Sequence, residues 1–278
     1  MRVAITGATG LIGSRLARAL AERGDSVVAL SRDPDRARER LGVDAVVNLA
    51  GGPIAQRWSA AVKERIRSSR VERTERLVHA MGAADPSPRV LVSASAAGYY
   101  GDRGADEFDE SASPGDDFLA SLCVDWERAA DGAADARVVK LRTGVVLDRS
   151  GGALQKMLPP FRAGLGGPIA GGGQYMPWIA LDDIVGLYLR ALDDDSWTGP
   201  INASAPNPAT NGEFVKALGR ALKRPAIVPV PGFALKLMFG EMASVLVVSQ
   251  RMVPRRALEL GYEFTHAELD GALRAALG

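Results

Sequence analysis

The sequence predicts an α/β protein with a doubly wound parallel sheet and a smaller, mainly helical lobe at the C-terminal end. Three observations lead to this fold class. A glycine-rich turn joins a strand to a helix at residues 7–13, short buried strands alternate with helices as far as residue 150, and glycine and proline become dense after it. Alternation of this kind is typical of a parallel sheet that helices cover on both faces.

The first thirteen residues carry the most informative motif. A β-branched run at residues 2–6 ends in a glycine-rich segment, and Leu16 and Leu20 then recur at helical spacing. The three glycines let the chain reverse off the strand, let the backbone approach a pyrophosphate, and let the helix pack on the sheet. The helix N-terminus then offers free N–H groups to phosphate. We therefore predict a dinucleotide-binding turn of the Rossmann type, with these cofactor residues: Thr6, Gly7, Thr9, Gly10, Leu11, Ile12 and Gly13.

The second strand, at residues 26–31, indicates which dinucleotide binds. An acidic residue at its end would bind the ribose 2′-hydroxyl of NAD, whereas a cation there suits the 2′-phosphate of NADP. Ser31 and Arg32 stand at this end, so we predict NADP as the cofactor, with NAD less favoured. Two alternatives stay open, because Asp33 is also within reach of a ribose and Arg32 could be an ordinary surface arginine.

Three further strands are predicted at residues 44–49, 89–95 and 137–142, and the last continues to residue 147. The first of them runs into small residues, against which an adenine or ribose would fit, so we add Leu49, Ala50 and Gly51 to the cofactor site.

Helices are predicted between these strands, at residues 58–81 and 118–130. The first has an excess of arginine and lysine. These cations either coat a solvated helix face or form an anion site for a cofactor or substrate phosphate.

Beyond residue 150 the alternation of strand and helix is less regular. Helices are predicted at 181–192 and 211–222, and the end of the chain is rich in proline and then helical. We predict a Rossmann core at residues 1–150, completed by part of 176–205, and a smaller lobe at 151–278 with a helical segment from about 225. This lobe would close a substrate cleft over the strand ends, where open α/β sheets bind ligands.

The composition of the chain argues against several classes of function. The formal net charge of +1 argues against a dedicated nucleic-acid binder, and the single cysteine excludes an intrachain disulfide and fits a reducing compartment. Two histidines and one cysteine provide no metal-ligand cluster. The first strand leaves no room for a secretory signal, and the apolar stretch 233–248 is shorter than the ~20 residues that span a bilayer. We therefore expect a cytoplasmic protein that binds a small molecule rather than a membrane or nucleic acid.

Four segments together resemble the extended short-chain dehydrogenase/reductase superfamily, the group of nucleotide-sugar epimerases and dehydratases. They are TGATGLIG at 6–13, NLAG at 48–51, SASA at 93–96 and MPWIALDDI at 176–184. Other motifs, such as GGPIA at 51–55, GYYG at 98–101 and RTG at 142–144, are similar to an atypical epimerase-like and cell-division-inhibitor-like branch that ends in a short helical domain of unknown function. The resemblance implies a Rossmann fold that binds NAD(P), and it adds Ser93 and Arg142 to the cofactor site.

Catalysis in this superfamily depends on a tyrosine and a lysine one helical turn apart, with a serine that polarises the same substrate oxygen. None of the five tyrosines here has a lysine four residues later, and alignment on Glu127 puts Leu119 and Cys123 at the two positions. Ser95 stands at the position of the catalytic serine, although a serine at a strand end can simply cap local backbone groups. Tyr100 is the best substitute for the missing acid, so we predict Ser95 and Tyr100 as the catalytic residues.

Two functional hypotheses follow. The first is an NADP(H)-dependent oxidoreductase or epimerase that acts on a small hydroxyl or carbonyl substrate, nucleotide sugars included, with Tyr100 or water moving the proton. The second is a catalytically weak NADP(H)-binding protein with a regulatory or redox-sensing role. The resemblance also permits a homodimer in which helices 58–81 and 118–130 of two subunits pair in a four-helix interface.

Overall fold

The structure, a computed structural model, describes residues 1–30 and 42–278, so the predicted cofactor residues Ser31 and Arg32 lie outside the described part. Its strands are β1 (Arg2–Thr6), β2 (Ser26–Leu30), β3 (Ala45–Asn48), β4 (Val90–Ala96), β5 (Glu107–Phe108), β6 (Arg137–Thr143), β7 (Val145–Leu147), β8 (Tyr175–Met176), β9 (Trp178–Ala180), β10 (Gly199–Ala203), β11 (Ala209–Thr210) and β12 (Arg251–Met252). Its α-helices are α1 (Leu11–Glu22), α2 (Ala60–Ser68), α3 (Val71–Gly82), α4 (Phe118–Asp131), α5 (Gly152–Arg162), α6 (Leu181–Asp193), α7 (Asn211–Leu222), α8 (Gly232–Phe239), α9 (Arg255–Glu259) and α10 (Leu269–Leu277). Short 3-10 helices cover Ala97–Tyr100 and Gly240–Leu246.

Six of these strands form one parallel sheet in the order β2-β1-β3-β4-β6-β10. The chain leaves β1 toward one edge to form β2 and returns on the other side of β1 to form β3, so the strand order reverses between β1 and β3. In open α/β sheets, ligands bind outside the carboxyl ends of the strands at such a switch point. The Rossmann-like, doubly wound fold predicted from the sequence is confirmed.

Helices cover both faces of this sheet, because its strands are apolar on both sides. On one face, α1 and α6 pack Leu20 and Leu187 into a cluster with the apolar side chains of β1. On the other face, α3 packs Leu77 and Met81 against Val46 and its neighbours. Every residue of β3 is buried, and this double coverage explains why its first three residues, Ala45 to Val47, form a continuous apolar run rather than an alternating pattern.

The predicted helix at 58–81 is in fact two helices, α2 and α3, with Ser69 and Arg70 between them. The hydroxyl of Ser69 accepts the N–H of Gly52 and donates to the carbonyl of Ile66. The guanidinium of Arg70 donates to the carbonyl of Gly52 at 2.9 Å, and its backbone, at φ −118° and ψ −62°, departs from helical geometry. The helix is therefore interrupted where two of its side chains bind the segment that follows β3.

The predicted strand at 137–147 also divides, into β6 and β7, at Gly144. A Cβ on Gly144 would lie 2.7 Å from the carbonyl oxygen of Pro177, and the N–H of Val145 donates to that same oxygen at 2.7 Å. The chain thus bends away from the central sheet after Thr143. As a result, β7 pairs with β9 in a separate two-stranded parallel sheet.

Residues after 150 contribute to two different parts of the molecule. Strand β10 lies at the edge of the central sheet and α6 covers one of its faces. The helices α5, α7 and α10 instead surround a second apolar cluster, which includes Phe161, Trp178, Phe214 and Leu273. Among the residues that the structure describes, no helix combines the length and hydropathy needed to span a bilayer.

Candidate functional site

The glycine turn between β1 and α1 lies directly against the end of β3. Gly7 has φ +70°, and a Cβ there would lie 2.9 Å from the carbonyl oxygen of Leu49. A Cβ on Gly13 would lie only 2.2 Å from the carbonyl oxygen of Gly7, so α1 packs on the turn without space for a side chain. The Thr6 hydroxyl accepts the N–H groups of Leu49 and Ala50, at 3.0 and 3.1 Å. These contacts hold the turn and the end of β3 together.

The N-terminus of α1 opens at this edge. Its N-cap residue, Gly10, has extended backbone, and within the described residues it forms no side-chain capping bond; the first turn carries no acidic residue. Thr9 and Gly10 are exposed, and Leu11 and Ile12 are half-buried. The first N–H groups of the helix and the positive end of its dipole are therefore free for an anion. The predicted cofactor residues Thr6 to Gly13 and Leu49 to Gly51 share this one edge of the sheet.

The serines of β4 are directed into the protein instead. Ser93 is 1% exposed and accepts the side-chain amide of Asn48 at 3.3 Å. Ser95 is 3% exposed and donates its hydroxyl hydrogen to Glu127 Oε1 at 2.7 Å. A hydroxyl that donates to a carboxylate does not donate to a substrate oxygen at the same time, so the catalytic role predicted for Ser95 does not fit this placement, and neither does cofactor contact by Ser93.

Tyr100 is fully buried in the 3-10 helix that follows β4. Its hydroxyl donates to Asn202 Oδ1 at 2.6 Å and accepts from Arg142 Nη1 at 2.8 Å. Burial raises the pKa of the Tyr100 phenol well above its ordinary value, against the opposing effect of Arg142. Because this phenol is desolvated and both its donor and acceptor positions are occupied, the role of surrogate acid predicted for Tyr100 does not fit the structure.

Arg142 is the centre of the same buried network. It is 3% exposed, and its guanidinium makes a two-point contact with Glu127, from Nε to Oε1 at 2.8 Å and from Nη2 to Oε2 at 2.9 Å. Its Cζ also lies 3.4 Å from the ring centroid of Tyr99. Arg142 is thus an internal cation already paired with a carboxylate, and the cofactor contact predicted for it does not fit this geometry.

Helix α4 places Leu119 and Cys123 beside the end of β4. A Cβ on Gly98 would lie 3.1 Å from Leu119 Cβ and 3.8 Å from Cys123 Sγ. Burial raises the pKa of the Cys123 thiol to about 12, so the thiol stays protonated. The positions that the resemblance assigns to the tyrosine and the lysine therefore offer neither a phenol nor an ammonium at the carboxyl ends of the strands.

Sequence reasoning missed two residues at this edge. Glu127, which served above only to align the motif, is 7% exposed, accepts a hydrogen bond from Ser95 and pairs with Arg142. Arg70, one of several cations in the segment 58–81, is 8% exposed and lies beneath Gly51. A signal for Arg70 was present, because it lies four residues after Ile66, on the apolar stripe of the predicted helix. Within the described residues, no group of three or more His, Cys, Asp or Glu side chains could hold a metal ion.

Comparisons with known proteins identify the family to which the chain belongs. The model of the NAD-dependent epimerase/dehydratase family matches residues 3–202, and a domain of unknown function (DUF1731) matches residues 230–276. The chloroplastic epimerase family protein SDR39U1 homolog of Arabidopsis thaliana is 42% identical over 301 residues, which cover 100% of this chain and 87% of that protein.

Two solved structures are similar over the whole of this chain. The crystal structure of human epimerase family protein SDR39U1 (isoform 2) with NADPH has 37% identity and a TM-score of 0.94, with 100% of both chains covered. The nucleoside-diphosphate sugar epimerase from Corynebacterium glutamicum has 35% identity and a TM-score of 0.82, with 100% of this chain and 58% of that one covered. With the glycine turn, the parallel sheet and these matches together, the chain belongs to the NAD-dependent epimerase/dehydratase family.

Proposed function

We propose that the protein binds NADP(H) at the edge formed by the glycine turn and the end of β3, and exchanges hydride with a small hydroxyl or carbonyl substrate. One observation carries the proposal: Gly13 leaves no space for a Cβ beside the carbonyl oxygen of Gly7, so α1 packs directly on the turn with its first N–H groups free. Membership of the family and the NADPH in the human relative's crystal structure support the choice of cofactor.

The proton in this reaction would pass to or from water. The positions of the tyrosine and the lysine hold Leu119 and Cys123, and the hydroxyls of Ser95 and Tyr100 are engaged inside the protein. General acid catalysis by a positioned side chain typically contributes about 10²- to 10⁴-fold to a rate, so we expect slow turnover without it.

The same observation supports a second candidate function, an NADP(H)-binding protein with a regulatory or redox-sensing role. Such a protein needs the glycine turn but no proton donor. Steady-state NADPH oxidation with a panel of aldehydes, ketones and nucleotide sugars separates the two functions. Turnover of any of these substrates supports the enzyme, and tight NADPH binding without turnover of any of them supports the sensor.

The cofactor site itself is tested by a matched pair of glycine variants. Gly13 and Gly271 are each the third residue of an α-helix, but a Cβ on Gly271 would meet no atom within 4 Å. Gly13→Ala should displace the turn and weaken NADPH binding by roughly 5- to 150-fold, since overpacking at a rigid contact typically costs about 1–3 kcal/mol. Gly271→Ala should leave the affinity unchanged.

Calorimetry measures the NADPH affinity of the wild-type, Gly13→Ala and Gly271→Ala proteins. No binding to the wild-type protein at millimolar NADPH would overturn the proposal, and so would equal affinity in the wild-type and Gly13→Ala proteins. NADP(H) and NAD(H) titrated side by side then test the preference predicted from Arg32.

A further inference from the structure

Arg70 is a buried cation without a counter-ion in the described part of the chain. Its guanidinium donates to the carbonyl oxygens of Gly52 at 2.9 Å and Ile66 at 3.3 Å, and to the hydroxyl of Ser69 at 3.2 Å. All three acceptors are neutral. Of the described carboxylates, none forms an ion pair with Arg70, although it is 8% exposed. Burial lowers the pKa of the Arg70 guanidinium.

Arg142 is a buried arginine of the same protein whose charge is neutralised by a carboxylate. It is buried to a similar degree, but its Nε and Nη2 together bind the two carboxylate oxygens of Glu127. On Arg70, Nε has no hydrogen-bond partner among the described residues, and Nη2 bonds only the carbonyl of Gly52. The edge of the guanidinium that Arg142 uses for a carboxylate is therefore largely free on Arg70.

Arg70 lies close to the edge of the sheet at which a ligand is proposed to bind. A Cβ on Gly51 would lie 3.1 Å from Nη2 and 3.2 Å from Cζ of Arg70, so the guanidinium lies just beneath an exposed glycine at the carboxyl end of β3. From the other side Cζ lies 5.4 Å from the ring centroid of Trp126, on α4. The cation is thus fixed between β3 and α4, beside the edge where the dinucleotide is proposed to bind.

The structural contacts of Arg70 do not neutralise its charge. They are hydrogen bonds to two carbonyls and a hydroxyl and a contact with the ring of Trp126. An unpaired charge held away from water is unfavourable unless something pairs with it. Guanidinium groups match phosphate and carboxylate oxygens in geometry as well as in charge.

We propose that Arg70 binds an oxyanion, a phosphate or carboxylate group of a ligand in the cleft at the carboxyl end of β3. The inference rests on the proposed function, because the same cleft holds the dinucleotide. The oxyanion has two sources, a phosphate of the dinucleotide or an acidic group of the substrate. If the second source applies, the substrate is an anionic hydroxy or oxo compound.

The test compares Arg70→Met with Arg73→Met. Arg73 is exposed on α3, three residues away, so its variant makes the same change in net charge without touching the cleft. Calorimetry follows NADPH in one arm. In the other arm it follows inorganic phosphate and malonate, added to the ligand-free protein and to protein saturated with NADP⁺. Arg70→Lys, which keeps the charge but loses the planar edge, guards against misfolding of the methionine variant and should show an intermediate loss.

Arg70→Met should lose at least about tenfold in affinity in one arm, whereas Arg73→Met should change less than twofold in both. A loss in the NADPH arm identifies a phosphate of the dinucleotide, and a loss of phosphate or malonate binding to the saturated protein identifies the substrate. Affinities equal to wild type in both arms would overturn the inference. If wild-type protein binds no NADPH but binds phosphate through Arg70, the proposed function fails while this inference stands.

Discussion

Removal of Glu127 should destabilise the protein strongly. Its carboxylate pairs with Arg142 at 2.8 and 2.9 Å and accepts the Ser95 hydroxyl at 2.7 Å, and the side chains of the ion pair are 8% and 4% exposed. Glu127→Ala leaves Arg142 as an uncompensated buried charge, which typically costs about 3–5 kcal/mol. For a chain of this size that corresponds to a fall of roughly 6–20 °C in Tm, at about 2–4 °C for each kcal/mol.

Equilibrium urea unfolding measures this loss, with Glu241→Ala as the matched control. Glu241 pairs with Lys63 at 2.5 Å, but its side chain is 53% exposed, so its removal should cost about 1 kcal/mol or less. Joint replacement of Glu127 and Arg142 by methionine should recover more than half of the loss, because no charge is then left unpaired. Equal destabilisation by Glu127→Ala and Glu241→Ala would refute the reasoning.

Two smaller predictions concern the same part of the protein. Ser95→Ala removes one buried hydrogen bond, so urea unfolding should show a loss of about 1 kcal/mol in the free energy of unfolding. Calorimetry should show an unchanged NADPH affinity. A large loss of NADPH affinity would instead show that Ser95 contributes to ligand binding. Burial raises the pKa of Glu110, so its stabilising contribution is complete below its unfolded value of 4.5 and is lost as pH rises through the folded value. Relative to Glu110→Gln, the wild-type protein should therefore lose stability as the pH rises above 4.5, and a difference that stays constant with pH contradicts this.

The parts of the cofactor edge that depend on short stretches of sequence could be predicted. The glycine turn is set by seven consecutive residues, and the parallel arrangement of β1 and β3 necessarily brings Thr6 and the segment 49–51 to one edge. The same reasoning applies to α4, α6 and α7, whose apolar spacing gave their positions to within one residue at each end. Local sequence pattern determines these elements, and tertiary contacts only fix them in place.

The direction of individual side chains at the strand ends could not be predicted. Ser95 lies near the carboxyl end of β4 and Tyr100 in the 3-10 helix that follows it. Their hydrogen-bond partners, Glu127 and Asn202, are 32 and 102 positions away in the sequence. No local sequence pattern indicates that these two hydroxyls bind a buried carboxylate and a buried amide. The break at residues 69 and 70 has the same origin, because it depends on contacts with Gly52.

The two buried arginines together determine what this edge of the sheet can do. Glu127 neutralises Arg142, so of the buried cations described here Arg70 is the one whose charge is left for a ligand. A cation stabilises bound negative charge but cannot supply a proton to a carbonyl, since an arginine stays protonated at every physiological pH. Binding and turnover are therefore separate properties of this site. Loss of affinity in Arg70→Met together with slow NADPH oxidation in every protein is the combination expected if this edge binds anions as proposed and Leu119 and Cys123 stand where the resemblance assigns the tyrosine and the lysine.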